Sequence, residues 1–421
     1  MSFDSQQSGF SLAASPRLRV SASQYDAVIV GGGPAGTSAA IHLATSGARV
    51  LLAEQKKFPR AKLCGEFISP ECLEHFERLG VVKRMTEAGG AELSETVFYS
   101  RSGRNVSVPS AWFGEGKAGA LGLSRAEMDE RLLARAREIG VEVLEETQAV
   151  GLLMDERRRV RGVRLKRGGQ TFEFNSLIAI DATGRTRALA RRIEKAEDAK
   201  HRSGKRSAPL VAFKAHLENA GGASDSCEIF FYRGGYGGLN RVEGGLSNLC
   251  FIARASDVRA CGGDAGRVLR EVVMKNRRAA ETLARAQVRS EWLAVALEGF
   301  GRRQIVPAAG MLAVGDAASF IDPFTGSGML MAMESGELAA QTIARHLNAL
   351  RKDETFDSVA CDYRARYKRV FGARLRVCAL MRRAAFVPRF AETLIFALSA
   401  SERARRFLAR STRRNHHHAE S

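Results

Sequence analysis

The chain alternates short, wholly apolar runs with segments of helical period, a rhythm that predicts parallel strands covered by helices. Residues 27–30, Ala-Val-Ile-Val, are apolar throughout, as a strand buried on both faces requires. A glycine turn follows, then a helical stretch, then a second apolar run ending at Glu54. Runs of the same kind return at 177–180 and 311–314, so the sheet is expected to be assembled from distant pieces of chain. Strand patterns at 141–144, 149–154, 160–166 and 171–174 lie close enough together to predict a small antiparallel meander inserted in that fold. The stretch after Ser124 reads as a helix, with Met128, Leu132, Leu133 and Ala136 on one side and Gly140 as its stop. Ser69-Pro70 predicts another helix start, serine as the cap and proline at the first position.

Residues 92–123 and 209–300 have a different texture, of strands and glycine-containing turns with one helix expected near 264–287. A long helix is expected over 329–346, and from about 357 the chain reads as helical and basic. Residues 1–24, rich in Ser, Gln and Ala without period, read as a disordered leader. The expected fold is α/β: a discontinuous Rossmann-like nucleotide-binding domain (25–91, 124–200, 305–350), a β-rich substrate domain (92–123, 201–304) and a helical C-terminus (351–421).

Composition narrows this picture. At 421 residues, 45% hydrophobic and 26% charged, the chain can bury the cores of two or three ordinary globular domains. No apolar run approaches the ~18–20 residues of a membrane span, and the N-terminus lacks a signal-peptide pattern. Seven cysteines without a C-x-x-C pair and eight histidines without ligand spacing point to no metal and to the cytoplasm. The formal charge of +19 is concentrated: residues 362–414 hold 15 Lys or Arg against Asp362, Glu392 and Glu402. No nucleic-acid-binding module accompanies that charge, so nucleic acid is not expected as a partner. The segment FVPRFAETLIFALSASERARRFLAR sets apolar residues at helical spacing beside arginines. It fits a peripheral helix on a membrane surface, or a helix packed on its own domain.

The chemistry concentrates at two glycine motifs. Gly31, Gly33 and Gly36 give G-x-G-x-x-G between strand and helix, with Pro34 and Ala35 in the first turn. The first glycine permits the turn, the second admits a pyrophosphate, and the third lets helix and strand pack closely. Glu54, 18 residues past Gly36, stands where a carboxylate meets a ribose. This half binds an ADP moiety and does not by itself distinguish FAD from NAD. The second motif decides for FAD, so the expected discontinuous Rossmann-like domain is a FAD-binding domain. Gly315-Asp316 ends a strand where a carboxylate meets a ribityl chain, and Gly326-Ser327-Gly328 opens a helix whose N–H groups suit an electron-rich flavin edge.

Together GGGPAG, DATGRTR and GDAASFIDPFTGSG resemble the FAD-dependent superfamily of p-hydroxybenzoate hydroxylase. KLCGEF and DPFTGSGM look closest to its branch of geranylgeranyl reductases, related flavin dehydrogenases and flavin-dependent halogenases. The resemblance covers roughly residues 25–350. It implies non-covalent FAD, an electron donor such as NAD(P)H, FAD contacts from Arg125 and from backbone near Val150, and Asp316 on the ribityl chain. It also sets Cys64 at the flavin's reactive face, as a proton donor or as filler. Glu66 is a candidate acid or base if burial raises its pKa, or a surface residue approaching a helix. Tyr236 either lines the pocket or fills a glycine-rich turn region. Geranylgeranyl reductases usually carry Cys-Gly-Gly where this chain has Cys64-Gly65-Glu66. The expected activity is hydride transfer between flavin N5 and an apolar isoprenoid or polyketide-like molecule. An oxygen-using hydroxylase and a flavin electron carrier are the alternatives.

Overall fold

The computed structural model describes residues 19–20, 24–113, 119–198, 209–298, 300–322, 326–353, 356–385 and 390–411. Its first sheet has a parallel part ordered Met311–Ala313, Gln170–Asp181, Tyr25–Val30, Val50–Ala53, Glu142–Leu144. Tyr25–Val30 and Val50–Ala53 are buried along their whole length, as their unbroken apolar character requires. Ala27 and Ile29 enter the core shared with helices Pro34–Thr45, Arg125–Glu138 and Gly328–Arg351. Val28 and Val30 point the other way, into the core under the meander. The helix after Ser69 begins as expected, with Ser69 at the cap and Pro70 first.

Three expectations change. The strand patterns at 171–174 and 177–180 are halves of one strand, Gln170–Asp181. Its first half pairs antiparallel with Val160–Arg167, and its second half runs parallel to Tyr25–Val30. Asn175-Ser176 carries neither glycine nor proline to break the extended chain, so the change in pattern marks a change of neighbours. Arg19–Val20, inside the supposed leader, pair with Phe172 and Glu173 of the same strand, while residues 1–18 and 21–23 lie outside the described part. The helix expected over 264–287 is interrupted. Ala265–Glu271 and Arg277–Leu283 are separate because buried Asn276 caps the second, accepting from Ala279 N while donating to the carbonyls of Tyr99, Ser100 and Phe231.

The second sheet runs Gln287–Val288, Leu210–Glu218, Ser247–Arg254, Gly235–Arg241, Ser226–Tyr232, Glu95–Tyr99, Asn105–Pro109, with Leu293–Leu297 also on Leu210–Glu218. Phe213, Leu217 and Phe251 on one face pack under the short helices that carry Val268 and Leu283. The period of two therefore sends Lys214, His216, Asn248 and Cys250 to the opposite face, toward the nucleotide-binding half. The glycines around Tyr236 serve hairpins. Gly234 takes φ 86° in the two-residue turn, Gly244 and Gly245 take φ 68° and 72° in the next. Tyr236 itself is a buried strand residue that donates its hydroxyl hydrogen to Asp322.

The basic C-terminus is also more internal than its charge suggests. On helix Asp357–Ala385, Tyr363 and Tyr367 are buried and donate to Ala313 O and Ser319 Oγ, both at 2.8 Å. Arg374, 3% exposed, pairs with buried Glu334 at 2.6 Å. Helices Phe390–Ser399 and Glu402–Ser411 then lie along the far edge of the second sheet, burying Ile395 and Ala409 and stacking Arg405 and Arg406 over Trp112. Their packed face satisfies the own-domain reading of this segment. Phe396 and Phe407 nonetheless remain 63% and 75% exposed.

Candidate functional site

The first glycine turn is built by close approach. At Gly31, φ 111°, a Cβ would fall 2.3 Å from Ala182 O, and at Gly36 one would fall 1.9 Å from Gly31 O. No side chain fits either place. The long helix presses equally close, since a Cβ at Gly336 would lie 2.3 Å from Ala35 O. Ser38 Oγ donates to Met333 O at 2.9 Å and fixes the same contact. Gly315, φ 59°, is held against Ala35 and by Ser335 Oγ, which accepts its N–H at 2.8 Å. The two helices that begin at Pro34 and Gly328 are thereby clamped side by side. Gly326, φ 61°, and Ser327, the N-cap, lead into the second, and Gly328 has open space where a Cβ would be. Residues 323–325, including Pro323, lie outside the described part.

Gly33 is different from its neighbours. What faces it is a pair of guanidinium groups, Arg125 Nη2 and Arg60 Nη2, at 3.7 and 3.8 Å from where a Cβ would stand. Arg125 is held rigid by Asp129, with Nε and Nη2 on the two carboxylate oxygens at 2.9 and 2.7 Å. Burial alone would lower the Arg125 pKa; the Asp129 carboxylate more than reverses this and keeps it charged. Glu54, 6% exposed, accepts Gly32 N–H at 2.9 Å and Lys56 N–H at 3.0 Å, so its carboxylate is aimed at the turn. Val150 is the extra residue of a β-bulge between Ala149 and Gly151, which takes its backbone out of the ladder beside the neighbouring strand.

A second group of charges surrounds Asp316. Burial raises the Asp316 pKa, against Arg185, Lys62 and Arg125, which lower it. Desolvation also lowers Lys62 and Arg185, and Lys62 is further depressed by Arg125, Arg60 and Arg185. Lys62 nevertheless presents solvent-accessible surface. A charged group that water reaches, yet that protein surrounds, belongs to the wall of a cleft. Arg60, Lys62 and Arg185 were not singled out from sequence as site residues. The basic run before Cys64 and the Arg of DATGRTR were the available signals.

Cys64 is half-buried and accepts Glu66 N–H through Sγ at 3.4 Å. Asn248 Nδ2 donates to Cys64 O at 3.3 Å from the second sheet. Glu66 is neither on the surface nor tuned upward. It is 0% exposed, at φ 52°, and its carboxylate accepts from Arg125 N at 2.8 Å, from Lys214 Nζ, and from His216 Nε2 at 2.6 Å. Burial alone would raise its pKa, but the His216 hydrogen bond and the Lys214 charge hold it below the usual carboxylate range. The condition for Glu66 to act as an acid near neutrality is therefore absent. Lys214 and His216 were missed from sequence, although VAFKAHLE places two polar residues at period two inside an apolar strand.

Paired helix N-termini, a glycine cradle faced by guanidinium groups, and a charged cleft against a second sheet define a two-sheet dinucleotide-binding architecture. Residues 24–372 match the family described as FAD binding domain, and the chain belongs to it. The match extends past residue 350, in keeping with the burial of Tyr363 and Tyr367 in the same core. The chain is 29% identical over 360 residues to digeranylgeranylglycerophospholipid reductase 2 of Methanopyrus kandleri, covering 83% of each. It is 27% identical over 335 residues to menaquinone reductase of Mycolicibacterium smegmatis, covering 75% of each. A geranylgeranyl bacteriochlorophyll reductase-like protein of Thermoplasma acidophilum superposes with a TM-score of 0.72 at 20% identity, over 90% of this chain and 92% of that one; identity this low speaks to the fold alone. The protein is a FAD-dependent oxidoreductase. Among the described residues no helix is long and apolar enough to cross a membrane.

Proposed function

We propose that the chain reduces an isoprenoid-bearing small molecule, with NAD(P)H as the electron donor. The observation that carries this reading is the apolar layer next to the charged cleft. Leu210, Ala212, Ile252 and Tyr236 of the second sheet meet Phe320 and Leu63, the residue before Cys64. These side chains are buried against one another apart from half-buried Leu63, and hydrocarbon entering beside Leu63 would leave water at about 25 cal/mol per Å². The relatives named as digeranylgeranylglycerophospholipid and menaquinone reductases support the same class.

In this reading the FAD is held by Gly31, Gly33, Pro34, Ala35, Gly36, Glu54, Arg125, Val150, Gly315, Asp316, Gly326, Ser327 and Gly328. The two guanidinium groups that face Gly33 match the charge of a pyrophosphate, and the open backbone at Gly328 fits a flat ring edge. When bound, FAD supplies hydride chemistry at its N5. Arg60 and Arg125 neutralise phosphate, Glu54 and Asp316 accept sugar hydroxyl hydrogens, and the N-terminus of Gly328–Arg351 favours negative charge beside it. Cys64, half-buried next to Leu63 and interacting with Arg125, would be the thiol that passes a proton to a substrate carbon. The last two helices would bring the enzyme to its lipid-borne substrate, their exposed Phe396 and Phe407 entering a membrane surface.

Anaerobic stopped-flow of the holoenzyme tests this. NADPH or NADH should bleach the flavin, and a menaquinone or a geranylgeranyl lipid should restore its colour with a saturated or reduced product. Reoxidation only by oxygen, with an oxygenated product, would replace this reading with a hydroxylase.

A further inference from the structure

Glu66 occupies a backbone position that suits glycine. A non-glycine residue at φ 52° is disfavoured by its own Cβ and persists where its surroundings hold it. Here they do. Besides the three donors on its carboxylate, Glu66 O accepts from Leu123 N and from Asn240 Nδ2, each at 3.3 Å. The side chain thus reaches from the Cys64 loop across to the Leu210–Glu218 strand. Lys214, 2% exposed, spends its charge on Glu66 and donates also to Lys62 O at 3.3 Å. His216 differs from both. Its side chain is 18% exposed and lies on the sheet face turned to the cleft. Because Nε2 faces a carboxylate, Nε2 carries the proton, and among the described residues no partner meets Nδ1.

Bare hydrocarbon gains nothing from such a wall. Leaving a polar ring nitrogen unpaired beneath a bound ligand is costly, and a hydroxyl on that ligand recovers the loss by donating its hydrogen to the Nδ1 lone pair. We infer that Glu66 is a positioning residue that holds His216 as the polar end of the substrate cleft, and that the substrate carries a hydroxyl group which donates to His216 Nδ1. This rests on the proposed reductase function and narrows its substrate to isoprenoids with a hydroxyl-bearing head. Glu66 acts through His216; His216 is the group that touches substrate.

The test is a binding titration of oxidised holoenzyme, read as the shift of the flavin's visible band, with geranylgeraniol as the hydroxyl-bearing probe and squalene as the bare hydrocarbon. His216→Ala and Glu66→Gly should each weaken geranylgeraniol about tenfold, the double variant no more than either, and squalene should be unaffected. Glu66→Gly suits the backbone conformation but leaves buried Lys214 without its carboxylate, so a variant that spares Glu66 is needed beside it. His216→Gln keeps a donor for Glu66 but no acceptor at the Nδ1 position, so it should melt like wild type and still lose geranylgeraniol. Equal weakening of both probes, a geranylgeraniol affinity indifferent to His216, or no geranylgeraniol shift in wild type would overturn the inference. An enzyme that reduces squalene and ignores geranylgeraniol overturns this inference alone, whereas one that reduces no isoprenoid at all overturns the proposed function beneath it.

Discussion

Asp316 sits where three cations converge, and that arrangement makes its carboxylate more than a helix-cap residue. Arg185, Lys62 and Arg125 favour its ionised form while burial opposes it. A carboxylate balanced in this way is ready to accept hydrogen bonds from neutral hydroxyls, the chemistry of a ribityl chain. Asp316→Ala is expected to weaken FAD about 10–100-fold, the worth of one hydrogen bond to a charged group. The absorbance ratio at 450 and 280 nm of the purified variant reads this directly, and a variant that emerges as yellow as wild type would remove Asp316 from the site. Residue-scale legibility had a sharp limit. Gly31, Gly33 and Gly36 could be read because their spacing is local. The bond between Glu66 and His216 spans 150 positions, and only the folded chain brings them together.

The decisive contact between elements is the crossing of helices Pro34–Thr45 and Gly328–Arg351. Ala35, Ala39 and Gly336 let the two backbones nearly touch, so both N-termini open on one cleft. Gly336→Ala would put a methyl 2.3 Å from Ala35 O and must separate the helices. A loss of about 1–3 kcal/mol is expected in urea denaturation, together with weaker FAD binding because the Gly33 turn moves with its helix. Unchanged FAD affinity would mean that the crossing does not set the cradle. Glu337 ties the same long helix to Pro70–Arg78 through His75 and Arg78, both at 3.1 Å. Burial alone would raise its pKa, but the His75 hydrogen bond and Arg78 bring it down to about 2. The sign follows from the lowered value. Glu337 stabilises the fold fully above its unfolded pKa of 4.5, and that stabilisation is lost as pH falls toward 2. Its worth at neutral pH is about 3 kcal/mol, so wild type and Glu337→Gln should differ in urea midpoint at pH 7 and converge at low pH. A gap that does not narrow would assign the difference to packing. The elements themselves were largely readable from apolar pattern and caps. What the pattern could not express was continuity, as in Gln170–Asp181, or a break imposed from outside, as at Asn276, whose partners Tyr99, Ser100 and Phe231 come from other strands.

At the scale of the molecule, charge and apolar exposure meet on the last two helices. The formal charge is +19, and Arg403, Arg405, Arg406 and Arg410 lie on Glu402–Ser411, one of the two helices at the far edge of the second sheet. Phe396 and Phe407 project from those helices, 63% and 75% exposed, and Leu380 on the preceding helix is 68% exposed. Arginines alone would bind an anionic surface only electrostatically, and binding of that kind is screened within ~10 Å at 0.1 M salt. Phenylalanines among them add an apolar contribution that salt does not screen. Vesicles of phosphatidylglycerol and phosphatidylcholine should therefore sediment the protein strongly at low salt and retain a fraction of it at about 0.5 M salt. Phe396→Ser with Phe407→Ser should abolish the salt-resistant fraction and spare most of the low-salt binding, since the arginines remain. The same pair should leave FAD content and melting temperature unchanged, because neither ring is packed in the core. Turnover of a short soluble quinone should likewise be untouched while turnover of a vesicle-borne substrate falls. If vesicle and soluble substrates respond alike, the exposed rings do not serve delivery from a membrane, and the basic end of the molecule is a solvated surface.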